Sequence, residues 1–186
     1  NYNPFSSTAL TGVVGALYEP LFYMNNLKDD PTKLEPLMGK SYTISDDAKT
    51  IDVTIRDGEK WSDGEPYTTE DVAYTFNLLN SNKALNTSGF AGSAKVLSDT
   101  EVRITLDKPE SVNALSYLSG TMIVPKHVWE KIDDPVTYTN KDAVGSGPFT
   151  VKGGNFSPTA YTFKKNPYYW DEGKPEIDGV RYVLIT

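Results

Sequence analysis

The 186-residue chain contains no cysteine and a single histidine, His127. Disulfide cross-links, thiolate metal sites and a cysteine nucleophile are therefore excluded, and one imidazole cannot build a histidine metal cluster. Positive charge is also scarce: 18 Lys and Arg stand against 25 Asp and Glu, a formal net charge of −7. With no Lys/Arg cluster to displace counterions from a phosphate backbone, nucleic acid is not an expected partner. No apolar run approaches the ~18 residues that a membrane-spanning helix needs. No signal-peptide pattern opens the chain at Asn1 to Pro4, which fits a cytosolic protein, a processed export product or a trimmed chain alike. What is present is ordinary: 38% hydrophobic and 23% charged residues place the chain among globular proteins. Its length suits one domain, or one domain carrying an insertion.

Apolar periodicity supplies the elements. Val13, Val14, Leu17 and Tyr18 recur at helical spacing within residues 11–18, with Thr11 placed as N-cap. Residues 25–36 read as an Asn-, Asp- and Pro-rich loop. Ile51, Val53 and Ile55 alternate with polar residues in a strand over 50–56, closed by the turns Asp57-Gly58 and Ser62-Asp63-Gly64. Thr68 opens a helix whose Asp71 reaches back as an acidic capping box, running to about Asn80 with Val72, Phe76 and Leu79 on one face. A polar loop over 80–92 holds Phe90 as its one large apolar residue. Further strands are expected over 101–107, 149–151, 161–164 and 180–185, and helices over 111–118 and 125–132, the latter with Pro125 at its first position.

Catalytic chemistry finds no foothold. His127 sits beside Trp129 in a helical pattern, with no accompanying serine nucleophile motif. No fixed spacing selects two of the many carboxylates as a hydrolytic pair. The acidic turns at Asp46-Asp47 and Asp57 to Asp63 lack the order of a calcium loop. Gly145-Ser146-Gly147 lacks the Lys-Ser/Thr ending of a phosphate cradle, and Pro148 removes an amide donor. Tyr168-Tyr169-Trp170 and Tyr67/Tyr74 could stack a sugar or a base, although packing is the simpler use of such rings. No catalytic residue, metal site or cofactor is expected.

The order of motifs says more. Leu17-Tyr18-Glu19-Pro20-Leu21 precedes Leu34-Glu35-Pro36-Leu37. Lys60-Trp61-Ser62-Asp63-Gly64-Glu65-Pro66 then runs into Thr69-Glu70-Asp71-Val72. Val124-Pro125-Lys126-His127, Gly145-Ser146-Gly147-Pro148-Phe149 and Asn166-Pro167-Tyr168-Tyr169-Trp170 follow. From Tyr2 to Thr186 the series resembles the extracellular solute-binding proteins of family 5, the peptide-, nickel- and oligosaccharide-binding components of ABC importers.

That resemblance implies a mixed α/β (α+β) fold, periplasmic-binding-protein-like of class II, of which the chain holds the first lobe only. Residues 1–21 and 143–186 would form the part near the hinge and 22–142 an inserted α/β subdomain, with the second lobe absent. Trp61, Asp63, Gly64, Asp71, Gly147, Pro148, Tyr169 and Trp170 would then be structural. Trp61 would plug the junction of strand and helix, Asp63 and Gly64 would set a turn, and Tyr169 and Trp170 would anchor a crossover. The resemblance assigns ligand contact to the backbone of Thr8, Ala9 and Leu10 and a wall position to Phe90. An oligopeptide is the implied solute, and a cello-oligosaccharide-like sugar the alternative suggested by residues 124–140. A membrane permease and the missing lobe are the implied partners, outside the cytoplasm, with lipid anchoring compatible. A carbohydrate hydrolase is the rival from another class, and a sensor domain a third reading. Because two-lobed capture requires the ligand to bridge both lobes, this chain alone should bind its natural solute very weakly. Calorimetry returning micromolar affinity for the isolated chain would contradict that.

Overall fold

A computed structural model describes residues 1–30 and 32–183. A two-stranded ribbon, β1 (Phe22–Tyr23) and β2 (Glu35–Pro36), leads into a four-stranded antiparallel sheet. That sheet contains β3 (Gly39–Ile44), β4 (Thr50–Ile55), β5 (Gly92–Val96) and β6 (Glu101–Leu106), in the spatial order β3-β4-β6-β5. Strict alternation on β4 and β6 decides which face is buried. Ile51 lies opposite Ile104 and Val53 opposite Val102, all four buried, while Asp52 faces Arg103 on the outer surface. There the guanidinium grips the carboxylate through Nε and Nη2, both at 2.7 Å. Such a half-exposed cross-strand pair helps fix register.

Helix α1 (Thr69–Ser81) lies along the free edge of β5. Its Asn77 side chain donates to Ala94 O at 2.8 Å and accepts from Ala94 N–H at 2.9 Å, while Asn80 Oδ1 accepts from Gly92 N–H at 3.3 Å. The helix thus satisfies backbone groups that an uncovered strand edge would present to other chains. Helices α2 (Ser111–Gly120) and α3 (Lys126–Trp129) follow. Strands β7 (Phe149–Thr150), β8 (Ala160–Lys165) and β9 (Gly179–Val183) make a second antiparallel sheet in sequence order.

Two apolar cores result. One gathers Leu21, Phe22, Ile51, Trp61, Phe76 and Phe90, and the other Tyr2, Leu17, Tyr18, Val124, Trp129 and Phe163. Helix α1 serves both, giving Val72 and Phe76 to the first and packing Tyr74 and Leu78 against the second. Met122, Val124 and Trp129, inside the expected 22–142 insertion, are buried in the second core.

Several expectations change. Residues 11–18 do not form an α-helix. Val13–Leu17 is one wide π-type turn, broken where Val14 is extended (ψ 123°) and Gly15 has φ 92°. Gly12, at φ 86°, occupies the cap position given to Thr11. Glycine is needed at Gly12 twice over, since a Cβ there would also meet the Tyr182 ring. Val13, Leu17 and Tyr18 remain buried, but Val14 turns outward, 55% exposed. Residues 125–132 yield only the short α3, with Pro125 before its first turn. Strands β3 and β5 read GKSYTI and GSAKV, too polar and Gly-containing for an alternation rule to find. The last strand is Gly179–Val183, and residues 184 and 185 of the expected strand lie outside the described residues.

Replacing Asn77 by Ala strands both polar groups of Ala94 and should cost about 1–3 kcal/mol in urea unfolding. An unchanged midpoint would mean that α1 does not depend on this amide pair.

Candidate functional site

The wide turn, the end of α1 and the end of α2 converge on one groove. Pro4 and Phe5 come from the N-terminal loop, Val14 from the turn and Leu79 from α1. Leu85, Thr87 and Ser88 come from the loop after α1, and Gly120, Thr121 and Met122 from the exit of α2. The cavity is about 90 Å³, and its lining carries no charged side chain. Asn86 shapes the loop: its side chain donates to Phe90 O at 2.7 Å and accepts from Phe90 N–H at 3.0 Å. The resulting loop buries Phe90 while presenting Leu85, Thr87 and Ser88 to the groove. Thr121 lies on this lining, buried, with its hydroxyl unpartnered.

Phe90, given a wall position by the resemblance, is not among the residues lining this groove. It is 2% exposed and packs edge-on against Phe76 at 5.0 Å and Tyr117 at 5.3 Å, because a large apolar ring in a polar loop gains most by entering the core. Thr8, Ala9 and Leu10 do not line the groove, and their amides are engaged internally. Thr8 N–H donates to Ser6 Oγ, Ala9 N–H to Ser6 O and Leu10 N–H to Asn1 O, at 3.2, 3.1 and 3.0 Å. The neighbouring Pro4 and Phe5 reach the groove instead. No periodicity signals them, since they precede the first regular element.

The remaining motif residues form the framework behind the groove. Trp61 is fully buried, stacks on Tyr67 at 4.6 Å, and donates from Nε1 to Asp71 Oδ2 at 3.1 Å. Asp71 closes the capping box with Thr68 N–H at 2.8 Å and also accepts from Lys126 N–H at 2.8 Å. Burial holds its carboxyl above the usual aspartate range despite these donors. Asp63 accepts from Glu65 N–H through Oδ1, and its Oδ2 meets His127 Nε2 at 2.8 Å, while Gly64 takes φ 94°. Gly147 N–H donates to Leu17 O at 2.9 Å. Any Cβ on Gly145 or Gly147 would strike the carbonyls of Leu17 or Ala16. These glycines let the chain lie directly behind the wide turn, and Pro148 and Asn166 continue the seam through Asn166 N–H to Pro148 O at 2.9 Å.

One buried acid has a role that no local pattern announces. Glu19, 8% exposed, accepts from Tyr169 Oη at 2.7 Å and Trp170 Nε1 at 3.1 Å. The Arg56 guanidinium lies 4.1 Å above the Trp170 ring. The only trace of this in the sequence is an acid followed by Pro20, within an apolar stretch. Burial raises the Glu19 carboxyl above its usual value, and the nearby Asp171 adds to the rise. Among the described residues no three His, Asp or Glu side chains converge as a metal site, and no helix is long and apolar enough to cross a membrane.

A carboxyl whose folded value is raised binds its proton more tightly in the folded state. Stability from Glu19 therefore grows as pH falls through that raised value. In Glu19→Gln this contribution disappears. The wild type should gain on the variant as pH is lowered from neutral into the acid range in paired urea titrations, and a constant difference would show an unperturbed carboxyl.

Comparison with known proteins places this geometry. The Dipeptide-binding protein DppE of Bacillus subtilis (strain 168) is 26% identical over 98% of the chain and 38% of its own length. A periplasmic oligopeptide-binding protein of Thermotoga maritima, solved with mannohexaose bound, superposes with a TM-score of 0.87 at 27% identity, over 100% of this chain and 35% of that one. The oligopeptide-binding protein AppA of Bacillus subtilis, in complex with a nonapeptide, gives 0.82 at 25% identity, over 98% and 37%. The chain thus spans little more than a third of the length of these proteins, and it shares their mixed α/β, periplasmic-binding-protein-like fold. The pattern of the bacterial extracellular solute-binding proteins, family 5 Middle, matches residues 33–186, and the chain belongs to that family.

Proposed function

We propose that the chain supplies one wall of the solute groove in the substrate-binding component of an ABC importer, and that the solute is an oligopeptide. The observation carrying this reading is the convergence of Pro4, Phe5 and Val14 with Leu85, Thr87, Ser88 and Met122 on one uncharged groove. An apolar wall without charged groups accepts varied side chains of an extended chain, and affinity then comes from what pairs with the ligand on its other side. The reading is supported by the dipeptide- and nonapeptide-binding relatives. The second lobe supplies the opposite wall, and a membrane permease receives the solute outside the cytoplasm, from a protein that is periplasmic or lipid-anchored. Residues 1–21 and 143–186 lie toward the hinge, and 22–142 form the insertion. The chain binds and hands over its solute without chemistry.

A second reading, an oligosaccharide solute, is favoured by the mannohexaose seen in the Thermotoga maritima neighbour. Thermal-shift screening of the full-length gene product with peptides and β-linked oligosaccharides separates the two. A native-state ligand at about 100 times its Kd adds roughly 2.7 kcal/mol of apparent stability. Val14→Trp, which fills the groove from an exposed position, should abolish the shift given by the true solute. A shift that survives Val14→Trp would put the solute elsewhere.

A further inference from the structure

A second cleft, about 500 Å³, opens between the β7–β8 hairpin and the loop ahead of β7. None of its lining residues lines the solute groove. Phe156 on the hairpin is 62% exposed, an unusual position for a large ring. It is held in place by Tyr2, edge-on at 6.3 Å, and by Tyr161, stacked at 6.4 Å. Lys141, Asp142, Lys152 and Asn155 share the lining. Among the described residues Lys141, Lys152 and Asp142 form no ion pair. A chain of net charge −7 thus has two lysines without an ion-pair partner on the lining of one cleft, beside a ring and one unpaired carboxylate residue. The other carboxylate on the lining, Asp63, is already matched by His127.

The state of the backbone decides which ligand suits this lining. A peptide adding to the hairpin would need free main-chain donors. The Lys152 amide donates to Thr150 Oγ1, the Gly154 amide to Val151 O and the Thr162 amide to Asn155 O, at 3.2, 3.0 and 2.8 Å. Gly145 N–H, at the foot of the loop, is held by Ser62 Oγ at 3.1 Å. Those amides are engaged, and the lining adds side chains that a sugar can use: an exposed ring face, an amide and a carboxylate that can meet vicinal hydroxyls, and two lysines. A sugar ring presents C–H groups to the negative face of an aromatic ring, its hydroxyls bond amide and carboxylate groups, and an acidic substituent answers the lysines.

We propose that this cleft is a binding site for a carboxylated sugar ring, separate from the solute groove, with Phe156 as its platform and Lys141 and Lys152 as its carboxylate partners. The test is an NMR titration of the 186-residue chain with D-galacturonic acid and, in parallel, D-galactose, following the amides of Gly153, Gly154 and Asn155. Galacturonic acid should move these amides with millimolar affinity, and galactose about tenfold more weakly. Phe156→Ala should weaken both sugars, whereas the double variant Lys141→Gln/Lys152→Gln should make the two equal. Both changes lie at exposed positions, so the amide spectrum itself reports that the variants fold. Unmoved hairpin amides, or equal affinity for the two sugars with the lysines intact, overturn the proposal. So do shifts confined to residues 85–88, which would place the sugar in the solute groove and favour the oligosaccharide reading there.

Discussion

The carboxylate of Asp71 is the point on which three segments turn. It takes the indole N–H of Trp61, the amide that begins α1 and the amide that begins α3. A buried carboxylate without partners costs several kcal/mol, so each of these donors must arrive for the others to be worth making. The W-S-D-G turn, the α1 cap and the entry to α3 are therefore coupled through one side chain. Burial keeps the carboxyl raised even so, which means the arrangement gives up some stability for a fixed geometry. A hydrophobic plug could fill the same space without specifying where α3 begins.

Glu19 repeats the device at the other end of the framework. It too takes an indole N–H, here from Trp170, together with the Tyr169 hydroxyl, and it joins the N-terminal segment to residues 150 positions later. Tyr67 lies buried within the field of both acids, and its phenol is pushed well above the ordinary range by burial, with Asp71 and Glu19 adding to the rise. The two acids thus bracket the junction between the two cores. The close approach of Gly145 and Gly147 to the wide turn leaves that turn no room to relax into a regular helix. The position of Val14 at the groove follows from that confinement and from the positive φ of Gly12 and Gly15, not from any helical preference of the stretch itself.

The same physics separates what could be read in the sequence from what could not. The α1 cap, the alternation of β4 and β6 and the S-D-G turn are local: each is decided by residues within a few positions of one another, and each is found where its pattern lies. The wide turn had the apolar spacing of a helix, because Val13, Leu17 and Tyr18 are indeed buried, but glycine conformation and a distant backbone contact override the spacing. Phe90 illustrates the converse case. A lone aromatic in a polar loop is equally a wall or a plug by composition, and only the presence of Phe76 and Tyr117 opposite it decides. Strands β3 and β5 are polar because one face of their sheet meets solvent and the edge of β5 is completed by Asn77, a residue on a helix. Glu19 was invisible as an anchor since its donors lie at the far end of the sequence.

What the groove lacks explains how such a wall must work. Its lining has no charge to concentrate a ligand, its cavity of about 90 Å³ holds little more than a side chain, and the neighbouring amides of Thr8, Ala9 and Leu10 are already bonded within their own loop. A surface of this kind gains apolar area on contact, but association itself costs at least ~4 kcal/mol before any net affinity appears. Burying one side chain of a solute returns roughly 1.5–3 kcal/mol. Under the proposed function the deficit would be met by a second surface closing on the same ligand, and the hydrogen-bonded seams at Asp71 and Glu19 would then have a purpose. On the proposed reading they would keep the wall from deforming on closure, so that free energy gained on the far side would go into holding the solute and not into bending the scaffold.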